Sequence, residues 1–248
     1  MSLVTFRFNE KNSDEMHLKI ESGLAIPSAA ASVDHIKVDG MDGEKTLSDG
    51  TYHAVPFNVP VVLIRPPKSD LGGRLFQKVH EISNWLKSTN GRYQEFYLSS
   101  DPGYYYLASI SESYDFTKFG IDYGRGILPF KLHPIKYSID GKNALAISST
   151  NPTLQNRTTR PAKPIIEIAG SGNITLTIGS SKLQLVNVSS PLIINSQLQT
   201  ITLASNGQGA YDKMTTYPFP IIHPGRQSIT WAGNVTSLKI TPNWEELI

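Results

Sequence analysis

The chain of 248 residues has no cysteine, which removes disulfides, thiolate metal sites and cysteine nucleophiles in one step. Charge is sparse too: 18% of residues are Asp, Glu, Lys or Arg and the net charge is +2, so nothing points to nucleic acid or an anionic membrane as a partner. Long apolar runs are missing. The longest, Val59 to Ile64, is short and contains Pro60. Leu183 to Tyr211 carries no charge, but it is rich in Ser, Thr, Asn and Gln, which a bilayer would not accept as a span. No basic segment leading into an apolar core opens the chain, because Met1 to Phe8 alternates like a strand. A soluble protein folded in a cytosol is therefore expected, and the sequons at Asn156, Asn173, Asn187 and Asn234 read as a by-product of composition.

What is present divides unevenly. Up to His133 there are 14 Lys/Arg and 16 Asp/Glu; beyond it there are 9 and 5, in a segment rich in Ser, Thr, Asn, Ile and Leu. Such a shift marks a domain boundary near Leu132-His133-Pro134-Ile135, with domains at residues 1–133 and 134–240. Residues 241–248 are left able to pack back on the first.

The N-terminal part reads as strands around one helix. Met16, Leu18 and Ile20 alternate with polar neighbours, and Ile36 and Val38 repeat the pattern before the turn dipeptides Asp39-Gly40 and Asp42-Gly43. Tyr93 to Leu98 and Tyr104 to Ile110 flank Ser-Ser-Asp-Pro-Gly as a hairpin, and Leu128, Phe130 and Leu132 alternate again. Between them Leu75, Val79, Ile82 and Leu86, with Phe76 beside them, predict a helix stripe between Gly72-Gly73 and the stop signal Asn90-Gly91.

The C-terminal part shows only two-residue rhythms. Ile174-Leu176-Ile178, Leu183-Leu185, Ile201-Leu203, Ile229-Trp231 and Leu238-Ile240 are separated by turn clusters, among them Pro224-Gly225 and Ala232-Gly233-Asn234. Short strands at this spacing predict an antiparallel β-sandwich.

Catalytic signatures fail one by one. No phosphate-binding Gly-x-x-x-x-Gly-Lys-Ser/Thr occurs, and Gly170-Ser171-Gly172 lacks nucleophile-elbow spacing and reads as part of a hairpin. Gly120, Gly124 and Gly126 do not make a dinucleotide fingerprint, and His80-Glu81 has no second zinc-binding His. The six histidines read as structural or solvated, and Glu245-Glu246 as an exposed end. Tyr104-Tyr105-Tyr106 would split across two strand faces, which favours packing over a stacking platform. No catalytic residue, metal or cofactor is expected, and the reading is non-enzymatic.

Several segments, in order, resemble the distal tail proteins (Dit) of long-tailed, siphovirus-type phages and prophages. They are Asn90-Gly91-Arg92-Tyr93 leading to Asp101–Ala108, the strand Tyr123–Leu132, and His133–Tyr137 after it. Pro161-Ala162-Lys163-Pro164-Ile165-Ile166-Glu167-Ile168 followed by Gly170–Leu176 is the clearest of them. Pro218-Phe219-Pro220, Pro224-Gly225, Ile229-Thr230-Trp231 and Pro242-Asn243-Trp244 complete the series.

The resemblance implies a mainly β fold: an N-terminal β-rich belt domain with one α-helix, then a C-terminal galectin-like antiparallel β-sandwich. It further implies a homohexameric ring at the tail tip or baseplate of the virion, made in the bacterial host cytoplasm. Its partners would be the tail tube protein, a tail-associated lysin or fibre, and receptor-binding or baseplate proteins. DNA would pass through the channel without sequence-specific binding, and no membrane is involved. Three departures stand out: there is no room for an inserted carbohydrate-binding module, no long extra arm, and no galectin-type His-x-Asn-x-Arg cluster.

The turn-rich segment Val33 to His53 is a candidate for contacting a neighbour, with Ile36, Val38 and Met41 as interface residues; a solvated edge hairpin is the other reading. The alternative function is a carbohydrate-binding adhesin using the C-terminal sandwich, with Tyr211, Tyr217 and Trp231 as stacking surfaces. A hydrolase with a dispersed site is the third.

Overall fold

The computed structural model describes residues 4–64, 75–119, 123–149 and 152–248. The chain forms two compact units, Met1–Lys136 with Leu247–Ile248, and Tyr137–Glu246. Among the described residues it is mainly β with one α-helix, as the sequence patterns predict.

The first unit holds β1 (Phe6–Phe8), β2 (Lys11–Asn12), β3 (Leu18–Ile20), β4 (Ala31–Lys37), β5 (Glu44–Tyr52) and β6 (Val55–Ile64). After them come α1 (Leu75–Lys87), β7 (Gln94–Leu98), β8 (Tyr104–Ser109), β9 (Phe116–Phe119) and β10 (Tyr123–Ser138). One antiparallel sheet runs β2-β1-β7-β8-β10-β6-β3, and β9 and the last strand, β18 (Glu245–Leu247), also pair with β10.

In β6 the residues Val55, Phe57, Val59, Val61 and Leu63 are buried while their neighbours face outward, the alternation of a strand covered on one side. Pro56 and Pro60 are tolerated because β3 pairs only with Val61–Leu63, so neither proline is asked to donate to it. The predicted hairpin around Asp101-Pro102-Gly103 is β7–β8, with Phe96 opposite Tyr106.

An aromatic cluster sits within the core of this unit. Phe96 and Phe130 lie 5.0 Å apart, Phe8 and Phe130 5.3 Å, and Phe6 stacks on Trp85 of the helix at 5.9 Å. Each such pair adds about 1 kcal/mol to the area it buries. Trp85 Nε1 also donates to the Phe8 carbonyl at 3.1 Å, so the helix is both packed and hydrogen-bonded onto β1.

Two helix expectations change. Phe76 is 79% exposed, and Trp85 takes the place on the stripe beside Ile82 and Leu86. At 100° per residue, Phe76 lies about a quarter turn or more away from that face. The stop is as expected: Asn90 and Gly91 both adopt positive φ, 50° and 72°. Gly72-Gly73, the Leu75 side chain and Gly120 lie outside the described residues.

The second unit holds β11 (Leu145–Ala146), β12 (Thr153–Asn156), β13 (Ile165–Ile178), β14 (Ser181–Val188), β15 (Leu192–Asn195), β16 (Thr200–Leu203) and β17 (Gly225–Thr241). Its axis is the pairing of the two longest strands, β13 and β17, with β15 and β16 beside one half of β13 and β14 beside the other. Ile166 and Ile168 from the first half and Ile174, Leu176 and Ile178 from the second enter one aliphatic core. The sheet therefore curls over a shared interior.

The curl explains two misreadings of the sequence. Gly170-Ser171-Gly172 is not a hairpin, and Ala232-Gly233-Asn234 does not separate two strands; both lie inside continuous strands, where the pairing register shifts. There the backbones approach so closely that a Cβ at Gly170 would collide with the Asn234 carbonyl, and one at Gly233 with the Asn173 carbonyl. Glycine marks a bulge here, not a reversal.

Candidate functional site

Two surfaces stand out, one in each unit. The first is the hairpin β4–β5, a two-stranded sheet of its own. Its register places Ile36 opposite Lys45 and Asp34 opposite Leu47, so Ile36 and Leu47 share a face. Val38 begins the turn, where it accepts a hydrogen bond from the Met41 amide at 3.2 Å. Val38 and Met41 thus lie in the turn, with Ile36 two residues before it in β4, at 41%, 47% and 45% exposure.

Every residue from 34 to 51 is exposed. The half-buried strand expected at Ile36 and Val38 is consequently not half-buried within one chain. Asp49 organises the base of the hairpin: its carboxylate accepts from the Thr51 amide at 2.8 Å and hydroxyl at 2.7 Å, which hold it below the ordinary carboxylate value. Sequence reasoning did not single out Leu47; counting back across the Gly40–Gly43 turn is the signal that finds it.

The second surface is a cleft of about 600 Å³ in the second unit. Four separate segments build it: Lys163, Ser180–Lys182, Ser196 with Gln199, and residues 216–223. Of the predicted stacking residues only Tyr217 lines it, and it is 77% exposed. Tyr211, at 57% exposure, lies in a short 3-10 turn outside this lining, and Trp231 is drawn against the aliphatic core. The structure does not bring the three together in this cleft. His223 reads in the sequence as a structural or solvated histidine and Lys163 as part of the Pro161–Ile168 segment; no local pattern links them with Lys182 across such distances.

Elsewhere, polar groups serve packing. Tyr105 and Tyr106 are both buried; Tyr105 stacks on Tyr97 at 5.7 Å, and the Tyr106 hydroxyl donates to Asp101 at 2.5 Å. Burial, with the Asp101 carboxylate beside it, pushes the Tyr106 hydroxyl well above the ordinary tyrosine value. His133 accepts from the Ile135 amide at 3.3 Å through Nδ1, and His35 sits 3.7 Å from Glu44. Among the described residues no group of three His, Asp or Glu is placed to hold a metal, and no helix is long and apolar enough to cross a membrane.

Glu245 corrects one expectation. It is only 3% exposed, because β18 turns it inward, and is not part of a solvated end. Burial raises its carboxyl above the usual range, and Lys163 and Arg160 pull the other way. Burial likewise pushes Tyr137 up to about 12, with the Glu245 charge adding to it.

Neither a protein-family model nor a curated protein matches the chain. Among solved structures, the Dit protein (gp 19.1) of phage SPP1 is similar over 100% of both chains, with a TM-score of 0.75 at 12% identity. That protein is described as a paradigm of the hub adsorption apparatus in phages that infect Gram-positive bacteria. This chain has the same fold from end to end.

Proposed function

We propose that this protein is a distal tail protein: a non-enzymatic structural hub at the tail tip, closing as a homohexameric ring. In this reading the ring joins the tail tube protein to a tail-associated lysin or fibre and supports receptor-binding or baseplate proteins. DNA passes through its channel without sequence readout. The observation that carries the reading is the full-length likeness to a phage hub protein. Fold alone does not fix function, so a feature of the surface has to agree with it.

The β4–β5 hairpin agrees. An isolated two-stranded hairpin is marginally stable in water. This one leaves Ile36, Val38, Met41 and Leu47 uncovered, together with two strand edges whose backbone groups can pair with another chain. A ring closes by joining two different surfaces head to tail, and a ribbon laid on the neighbouring copy is one such half. The first unit is then the ring-forming belt.

Light scattering during size-exclusion chromatography tests the reading. The expected mass at high concentration is six times the 27.3 kDa chain. Ile36→Asp with Leu47→Asp should shift it to the single chain while leaving each chain folded, since neither side chain is buried within one copy. A wild-type protein that stays monomeric at every concentration would count against the ring.

A further inference from the structure

We propose that the cleft of the second unit binds a phosphorylated saccharide. Three features of its wall specify that chemistry. Lys163 and Lys182 line it and no carboxylate does, so the cleft attracts anions. Lys163 shares its charge with the buried Glu245, whereas Lys182 has no ion-pair partner among the described residues. Lys182 is therefore the cation available to a phosphate.

Tyr217 is the second feature. Its ring is 77% exposed beside Phe219 in the same wall. An aromatic face held at the mouth of a polar cleft suits the C–H face of a sugar ring, while the hydroxyls of Ser180 and the amide of Gln199 offer hydrogen bonds to its edge. Ser196 adds to this: it is buried at 4% exposure, lies in the wall, and its hydroxyl lacks a partner among the described residues. Buried hydroxyls rarely go unpaired, and a polar ligand in the cleft can supply the missing bond.

The third feature is that the wall is fixed in advance. The Ser181 hydroxyl donates to the Ile221 carbonyl at 3.0 Å and accepts from the Ile221 amide at 3.3 Å. At the other end of the same loop, the Thr216 hydroxyl accepts from the Gln184 amide at 2.9 Å. Both ends of the segment carrying Tyr217 are thus tied to β14, which lowers the ordering cost of binding. At about 600 Å³ the cleft suits one or two sugar units. The inference stands whether or not the ring forms.

Calorimetric titration of the full chain with glucose 6-phosphate tests it. We expect saturable binding in roughly the millimolar range, with glucose and inorganic phosphate each at least about tenfold weaker. Lys182→Glu should weaken binding about tenfold or more and Tyr217→Ala several-fold, with unfolding temperatures unchanged because both side chains are exposed. A phosphodiester-linked glycan polymer that displaces the sugar phosphate would identify a cell-surface source, and failure to displace it a free sugar phosphate; either upholds the proposal. No saturation by about 10 mM, equal affinity for inorganic phosphate, or unaltered affinity in Lys182→Glu would overturn it.

Discussion

At the scale of single residues, two buried polar side chains show how much context decides. Asn156 lies within a glycosylation sequon, yet it is 1% exposed and its amide is fully used. It donates to the carbonyls of Arg160 and Ile222 at 2.9 and 3.1 Å and accepts from the Thr158 amide and hydroxyl at 3.0 and 2.7 Å. Such a group staples a loop and has no atom left for a glycan. Glu245 is the opposite case, a buried carboxyl whose Oε1 has no partner among the described residues. Its raised folded-state value means that the native state holds the proton more tightly than the unfolded chain. The contribution is present at low pH and is lost as pH rises from the ordinary value of 4.5 through the raised one. Glu245→Gln should accordingly raise the unfolding temperature at neutral pH, with the difference shrinking below the ordinary value. Thermal unfolding followed across pH checks this, and a variant less stable than wild type at neutral pH would show that the charged form is the one the fold favours.

Among elements, the strands differ in how legible they were. Hairpin β7–β8 is announced by its turn residues and the Leu128–Leu132 part of β10 by alternation, because one covered face imposes a period of two, whereas β6 reads in the sequence only as an apolar run with Pro60 in it. Helix α1 is visible in Val79, Ile82 and Leu86, although Trp85 and not Phe76 completes its buried face. The continuity of β13 and β17 was hidden. Glycine clusters signal reversals in most sequences, and only the close approach of two backbones reveals these as bulges. The cleft was hidden for a stronger reason: its walls come from four segments that only the curled sheet assembles. The bulge account can be measured. Gly172 and Gly233 both have positive φ, 76° and 100°, but only the Cβ position at Gly233 is crowded. Gly172→Ala should cost about 1 kcal/mol, and Gly233→Ala at least about 2–3 kcal/mol, in denaturant unfolding. Equal costs would mean that conformation alone, and not backbone contact, requires glycine at the bend.

For the whole molecule, the two units rest on different interiors, an aromatic cluster in one and an aliphatic core in the other. A TM-score of 0.75 over the full length at 12% identity shows that this architecture is compatible with very different side chains. The β4–β5 hairpin, with every residue from 34 to 51 exposed, draws little stability from burial within one chain. In the proposed ring a second copy of the same chain would cover it. Negative-stain electron microscopy of the purified protein tests this most directly. Closed rings with six-fold symmetry and an open centre are the expected result; isolated particles of single-chain size at all concentrations, or open filaments, would contradict it.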